Sequence, residues 1–135
     1  MLKVAIVGLG FVGKAVDEGL KGVEKCIIDP KYGNDISSLI DFQPDLVFVA
    51  VPTPMNEDGS IDSSILEDVI FKISVVSWMN PVIVIKSTCT PDVIEKLAMI
   101  STFVYNPEFL TERNAYQDFI NPAAIILGNS GDNYD

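Results

Sequence analysis

The sequence predicts an α/β fold, a doubly wound parallel sheet in a single domain, and three observations carry that prediction. Short β-branched apolar runs alternate with helix-patterned stretches from one end of the chain to the other. Most of the runs lack polar alternation, as strands buried on both faces do. The first run, Val4-Ala5-Ile6-Val7, leads directly into Gly8-Leu9-Gly10-Phe11-Val12-Gly13, which opens a helical pattern. Alternating elements of this kind imply parallel strands with helices on both faces. A G-x-G-x-x-G turn between strand and helix makes the fold Rossmann-type.

The elements follow in order. Strands are expected over 3–7, 24–28, 45–51, 82–86, 102–105 and 123–127, and helices over 11–21, 37–43, 63–78 and 91–99. In the glycine turn, Gly8 allows the tight bend, Gly10 lets a pyrophosphate approach the backbone, and Gly13 lets the helix lie close on the strand. The helix N-terminus adds exposed N–H groups and a favourable dipole for a diphosphate. Asp29 ends the second apolar run, where an acidic residue accepts from the adenosine ribose. The segment from Asp29 to the strand at 45–51 is short. It leaves room for a vestigial third strand over 34–36 at most, then a brief helix. The helix at 63–78 is capped by Asp62 or Ser63, carries Glu67 and Asp68 near its positive end, and buries a stripe of Leu66, Val69, Ile70, Ile73 and Val76. Asn80-Pro81 stops it, and Pro91 opens the next helix at a favourable first-turn position. The domain spans 1–128, with a polar tail over 129–135 expected to fray.

Composition narrows the function. The net charge of −10 argues against nucleic acid or an anionic membrane as a partner. An anionic cofactor must then be held by local donors. The chain has no histidine, which excludes histidine catalysis and histidine metal sites within it. Its two cysteines, Cys26 and Cys89, lack metal-type spacing. No metal site is expected, and no disulfide. No apolar run reaches membrane-span length and no leader pattern opens the chain, so a cytoplasmic protein is expected.

Three loops at predicted strand ends carry further chemistry, each with two readings at this point. Val51-Pro52-Thr53-Pro54 is a rigid exit that either walls the cofactor or only stiffens a connection. Lys86-Ser87-Thr88-Cys89-Thr90 offers hydroxyls and a lysine to a nicotinamide or a reacting oxygen, or else caps the next helix. Glu108 and Glu112 share a face if their stretch is helical. They are then either a general acid or base with a raised pKa, or a solvated surface.

The string of motifs resembles the N-terminal domain of the UDP-glucose/GDP-mannose dehydrogenases, the nucleotide-sugar 6-dehydrogenases. The matching pieces are G-L-G-F-V-G at 8–13, V-P-T-P at 51–54, D-G-S-I-D-S-S at 58–64, K-S-T at 86–88, N-P-E-F-L-T-E at 106–112, N-A-Y-Q-D-F-I-N-P at 114–122 and I-I-L-G at 125–128. The resemblance implies double oxidation of a sugar CH2OH to a carboxylate with two NAD+. It implies a cofactor set of Gly8, Gly10, Phe11, Val12 and Gly13 at the pyrophosphate and Asp29 at the ribose, with Lys31 in part replacing a family arginine. Val51, Pro52, Thr53, Ser87 and Thr88 would line the remainder. Thr88 and Glu108 would position and deprotonate a water, Glu112 would sit beside the nicotinamide with a catalytic role, and Phe109 and Leu110 would begin the sugar-nucleotide loop.

The departures are equally specific. Family members are several times longer, and their catalytic cysteine and most contacts to the UDP- or GDP-linked sugar lie in later domains absent here. Cys89 is not that thiol and is expected to point into the core. The insertion after the second strand is trimmed, and Thr111-Glu112-Arg113-Asn114 departs from the usual arginine-glutamate-glycine pattern. The chain alone is therefore expected to bind NAD without turning over sugar. The alternatives are a stand-alone NAD-binding module and a reductase of the β-hydroxyacid dehydrogenase type, the latter disfavoured by the 106–110 segment. NAD is expected over NADP because Asp29 would repel a 2′-phosphate, although Lys31 lies nearby.

Overall fold

The computed structural model describes residues 1–76, 80–107, 112–120 and 128–129. Five strands are parallel neighbours: β1 (Lys3–Val7), β2 (Glu24–Ile28), β3 (Leu46–Val49), β4 (Val82–Ile85) and β5 (Val104–Tyr105). A sixth, β6 (Gly128–Asn129), completes the order β2-β1-β3-β4-β5-β6. The helices are α1 (Phe11–Gly19), α2 (Leu39–Phe42), α3 (Ser64–Val76), α4 (Pro91–Ala98) and α5 (Ala115–Ile120).

The period-2 geometry of the strands divides the core. Ala5, Val7, Val47, Val49, Ile83 and Ile85 face one side, where they bury Leu39 of α2, Leu66, Val69, Ile70 and Ile73 of α3, and Val93 and Leu97 of α4. Val4 and Ile6 face the other side with Val16 of α1, and Leu46, Phe48 and Phe119 pack against them. The inner strands β1, β3 and β4 are apolar on both faces because both faces are covered, which is the doubly wound arrangement.

β1 and β2 occupy the residues the sequence predicts. β3 ends two residues early, although the Ala50 amide still donates to Val7 O at 2.8 Å. α3 keeps its predicted stripe and begins beside Asp62, whose carboxylate accepts from the Ser64 amide at 3.0 Å. Residues 77–78 of that expected helix and the expected strand over 123–127 lie outside the described residues. Gly128 and Asn129, read from sequence as the end of the domain and the start of a frayed tail, pair antiparallel with Tyr105 and Val104. The strand direction at this edge was not legible in the sequence.

The expected vestigial third strand does not form. The chain instead makes two 3-10 turns, Pro30–Tyr32 and Ile36–Ser38, before α2. β2 is thus an edge strand, and a side chain takes up its last rung. Asn34 Nδ2 donates to Ile27 O at 2.7 Å, and Asn34 Oδ1 accepts from the Asp29 amide at 3.0 Å. One residue of a parallel partner makes this same pair of bonds to the residues on either side of its opposite number. The Asn34 carboxamide imitates one residue of the strand that is missing.

Asn34→Ala removes both bonds and leaves a half-buried carbonyl and amide unpaired. The expected loss is about 1–3 kcal/mol, read as a shift of the urea midpoint at unchanged slope. Stability within about 0.5 kcal/mol of wild type would mean that the rung carries no weight.

Candidate functional site

The loops bearing the sequence-predicted residues leave the carboxyl ends of β1 to β5. From β1 the chain passes first to β2 on one flank and later to β3 on the other. That divergence is a topological switch point, where open α/β sheets form a crevice for ligands.

The glycine turn begins at the crevice. Gly8 has φ +93° and donates its amide to Ile28 O at 2.8 Å. A side chain there would lie 2.6 Å from the Ala50 carbonyl oxygen. One on Gly13 would fall on the carbonyl oxygen of Gly8. Gly10 is different, because a Cβ there meets nothing within 4 Å. The first and third glycines therefore permit the packing of strand, turn and helix, and the second faces open space.

Gly10 is also the N-cap of α1, with no side-chain cap bond and no acidic residue in the first turn. The first ladder bond runs from the Lys14 amide to Gly10 O. The amides of Phe11, Val12 and Gly13 precede it and have no partner inside the helix. Uncapped donors at the positive end of a helix, under a residue without a side chain, fit a pyrophosphate.

Asp29 is buried, 9% exposed, at the end of β2. One carboxylate oxygen accepts from the Leu9 amide at 2.7 Å and the other from the Lys31 amide at 2.9 Å. The Lys31 amide bond holds the carboxyl below its usual range, against burial, with help from the Leu9 amide and the Lys31 charge. Lys31 itself is exposed. Asp29 is thus an organiser of the glycine turn as well as an acceptor at its edge.

On the other flank, Val51 is buried, Thr53 half-buried and Pro52 exposed. Ser87 is buried, and its hydroxyl donates to Val51 O at 2.8 Å, joining the exits of β3 and β4. Its proton is committed to structure. Thr88 is exposed beyond it. Thr90 stands at the N-cap of α4, but its hydroxyl pairs with the Asp92 carboxylate instead of an α4 amide. Glu108, Phe109, Leu110 and Thr111 lie outside the described residues. Glu112 opens a 3-10 turn, Glu112–Asn114, of which its backbone is described. The expected meeting of Thr88, Glu108 and Glu112 is therefore not visible.

Both cysteines are free and half-buried. Burial raises the Cys26 thiol and pushes that of Cys89 up to about 11. Cys89 packs against the core and its Sγ donates to Ser87 O at 3.4 Å, while its amide donates to the Tyr105 hydroxyl at 3.2 Å. A shallow cleft of about 260 Å³ lies between α1 and the approach to α5, with Phe11, Lys14, Glu18, Arg113 and Tyr116 in its lining. Among the described residues no helix is long and apolar enough to cross a membrane. Sequence reasoning offered Lys86 to the site with the hydroxyls of its loop but gave it no role of its own. The structure buries it to 5% exposure at the end of β4. Its signal was a lysine closing an apolar strand without a break.

A parallel sheet with an uncapped glycine turn at its switch point and an acidic residue anchored beside that turn defines a dinucleotide-binding domain. The chain belongs to the UDP-glucose/GDP-mannose dehydrogenase family: that family's NAD binding domain matches residues 21–134. The dinucleotide is accordingly NAD. The match begins after the glycine turn, so turn and family are independent observations. UDP-glucose 6-dehydrogenase of Rickettsia felis is 32% identical over 104 residues, covering 72% of this chain and 22% of that protein. UDP-glucose 6-dehydrogenase 1 of Glycine max is 30% identical over 128 residues, covering 83% and 26%. The chain thus spans about a quarter of the length of these relatives. The UDP-glucose dehydrogenase structure from Pyrobaculum islandicum shares the fold at a TM-score of 0.74 and 24% identity, over 96% of this chain and 41% of that one.

Gly8→Ala and Gly13→Ala are expected to unfold the domain or lower its melting temperature steeply, whereas Gly10→Ala keeps the wild-type melt and loses NAD affinity. Thermal melts beside calorimetric titrations separate the two classes, and equal damage at all three positions would contradict the division.

Asp29 also makes stability pH-dependent. Its folded pKa lies below its unfolded one, so its contribution is complete at neutral pH and fades as pH falls below about 4. Asp29→Asn should therefore cost more at pH 7 than at pH 3 in matched denaturant titrations. Equal losses at both would separate the carboxylate charge from stability.

Proposed function

We propose that this domain presents NAD+ to a nucleotide sugar whose CH2OH is oxidised twice, to a carboxylate. The observation that carries the reading is the uncapped start of α1 under Gly10, with Asp29 fixed beside it. Bound NAD+ supplies the hydride acceptor. The chain's residues supply the rest. Phe11, Val12 and Gly13 offer amides to the pyrophosphate. Asp29 keeps a lone pair on each oxygen after its two backbone bonds, so both ribose hydroxyls can donate to it. A 2′-phosphate would meet a buried negative charge at the same place, against which exposed Lys31 is a weak offset. Val51, Pro52, Thr53, Ser87 and Thr88 line the crevice beyond the turn.

At the reacting end, Thr88 and Glu108 orient and deprotonate a water, and Glu112 stands beside the nicotinamide. Oxidation from alcohol to acid needs the aldehyde held between two hydride transfers, and a thiol does this through a thiohemiacetal and a thioester. Such a thiol must ionise near neutral pH. Cys89, raised to about 11 and turned to the core, does not fit that task, nor does Cys26 on β2. The thiol and most of the grip on the UDP- or GDP-linked sugar come from residues outside this sequence.

The test is titration of the purified chain with NAD+ and NADP+, followed by NADH formation with UDP-glucose and GDP-mannose. NAD+ is expected to bind at least about tenfold tighter, the effect of roughly 1.4 kcal/mol, with no steady turnover by wild type or Cys89→Ser. Equal or tighter NADP+ binding would overturn the role of Asp29. Turnover by wild type that Cys89→Ser abolishes would overturn the assignment of the thiol.

A further inference from the structure

Lys86 sits on the face of the sheet shared with α1 and α5, at a position where the preceding residues of β4 are apolar. Burying an ammonium is unfavourable unless it is well bonded. Lys86 Nζ donates to Asn106 Oδ1 at 2.7 Å and lies 3.4 Å from Asn106 O. It also stands over the Phe119 ring, 6.0 Å from its centre. Phe119 in turn occupies the space where a side chain on Gly19 would be. The Asn106 amide donates to Ile85 O at 3.0 Å, the last rung between β4 and β5. A methionine would fill the same volume without a charge to desolvate, so what distinguishes the ammonium here is what it bonds.

What it bonds is specific. Lys86 precedes Thr88 by two residues, and Asn106 precedes Glu108 by two. We propose that the Lys86–Asn106 bond is a brace that sets the two strand exits bearing Thr88 and Glu108, making Lys86 a positioning residue for the nicotinamide half of the site. The sheet order supplies the direction. Asp29 at the end of β2 marks the adenosine end, and the glycine turn after β1 marks the pyrophosphate. A dinucleotide continuing across the sheet passes over the ends of β3, β4 and β5. The brace joins the exits of β4 and β5, distant from the adenosine side. The inference rests on the reading of Thr88 and Glu108 given above.

The experiment compares NAD+ with ADP-ribose, which keeps the adenosine and pyrophosphate and lacks the nicotinamide. Wild type, Lys86→Met, Lys86→Arg and Asn106→Ala are titrated with both. Melting temperature and hydrogen exchange are followed over residues 86–92 and 104–112. Lys86→Met and Asn106→Ala should weaken NAD+ by about tenfold, the scale of one misplaced hydrogen bond, and leave ADP-ribose within about twofold. Faster exchange should be confined to those two segments, and Lys86→Arg should restore much of the NAD+ affinity. Equal weakening of both ligands, or exchange rising throughout the domain, would reduce Lys86 to a stabilising residue and overturn the brace. So would wild-type NAD+ binding in Lys86→Met. If Lys86→Met fails to fold, the Asn106→Ala ratio decides alone. Failure of wild type to bind either ligand would instead sink the reading on which the brace rests.

Discussion

The cofactor end of this sheet depends on one carboxylate receiving two backbone amides. Asp29 takes the Leu9 amide on one oxygen and the Lys31 amide on the other, and so joins two turns that no strand connects. Its position follows from β2, whose last residue, Ile28, also accepts from Gly8. The glycine turn is consequently fixed from below by backbone and from the side by a charge. Charged acceptors bond amides more strongly than neutral ones do. A turn held in this way presents its remaining donors without rearrangement, which lowers the ordering cost of binding an anion.

The loss of the third strand would leave that arrangement without support along the edge of β2. Two modest devices replace it. Asn34 supplies the rung that Ile27 and Asp29 lack, and the 3-10 turn Pro30–Tyr32 folds back under the cap formed by Asp29. Further down the edge, Glu24 and Lys25 are exposed, which discourages pairing with another chain. The short connection between β2 and β3 thus keeps Asp29 anchored beside the glycine turn with no further strand outside β2.

Much of this was legible because it is written in backbone requirements and periodicity. Gly8 and Gly13 could be assigned from spacing, since each removes a side chain for a different steric reason, and the structure gives both that reason, while a Cβ on Gly10 would meet open space. The stripe on α3 and the run of β1 follow from burial alone. Asn34 could not be foreseen, because a side-chain amide imitating a strand has no period. Nor could the second task of Asp29, since a ribose acceptor and a turn organiser look alike in sequence. The burial of Lys86 was illegible for a physical reason as well: lysine is ordinarily at the surface, and the Asn106 and Phe119 it meets are distant in the chain. The direction of β6 depends on the path of the chain, which composition does not encode.

The place of β1 between β2 and β3 also governs how the chain arrives at this structure. Its neighbours are β2 and β3, with Val4 opposite both Lys25 and Leu46. Parallel neighbours cannot be joined by a hairpin, so each rung requires an intervening segment to close before pairing returns any free energy. No adjacent pair among β1 to β5 can form by local zipping. The chain belongs with slower-folding topologies, and while β1 awaits its partners its apolar residues remain open to water and to other chains.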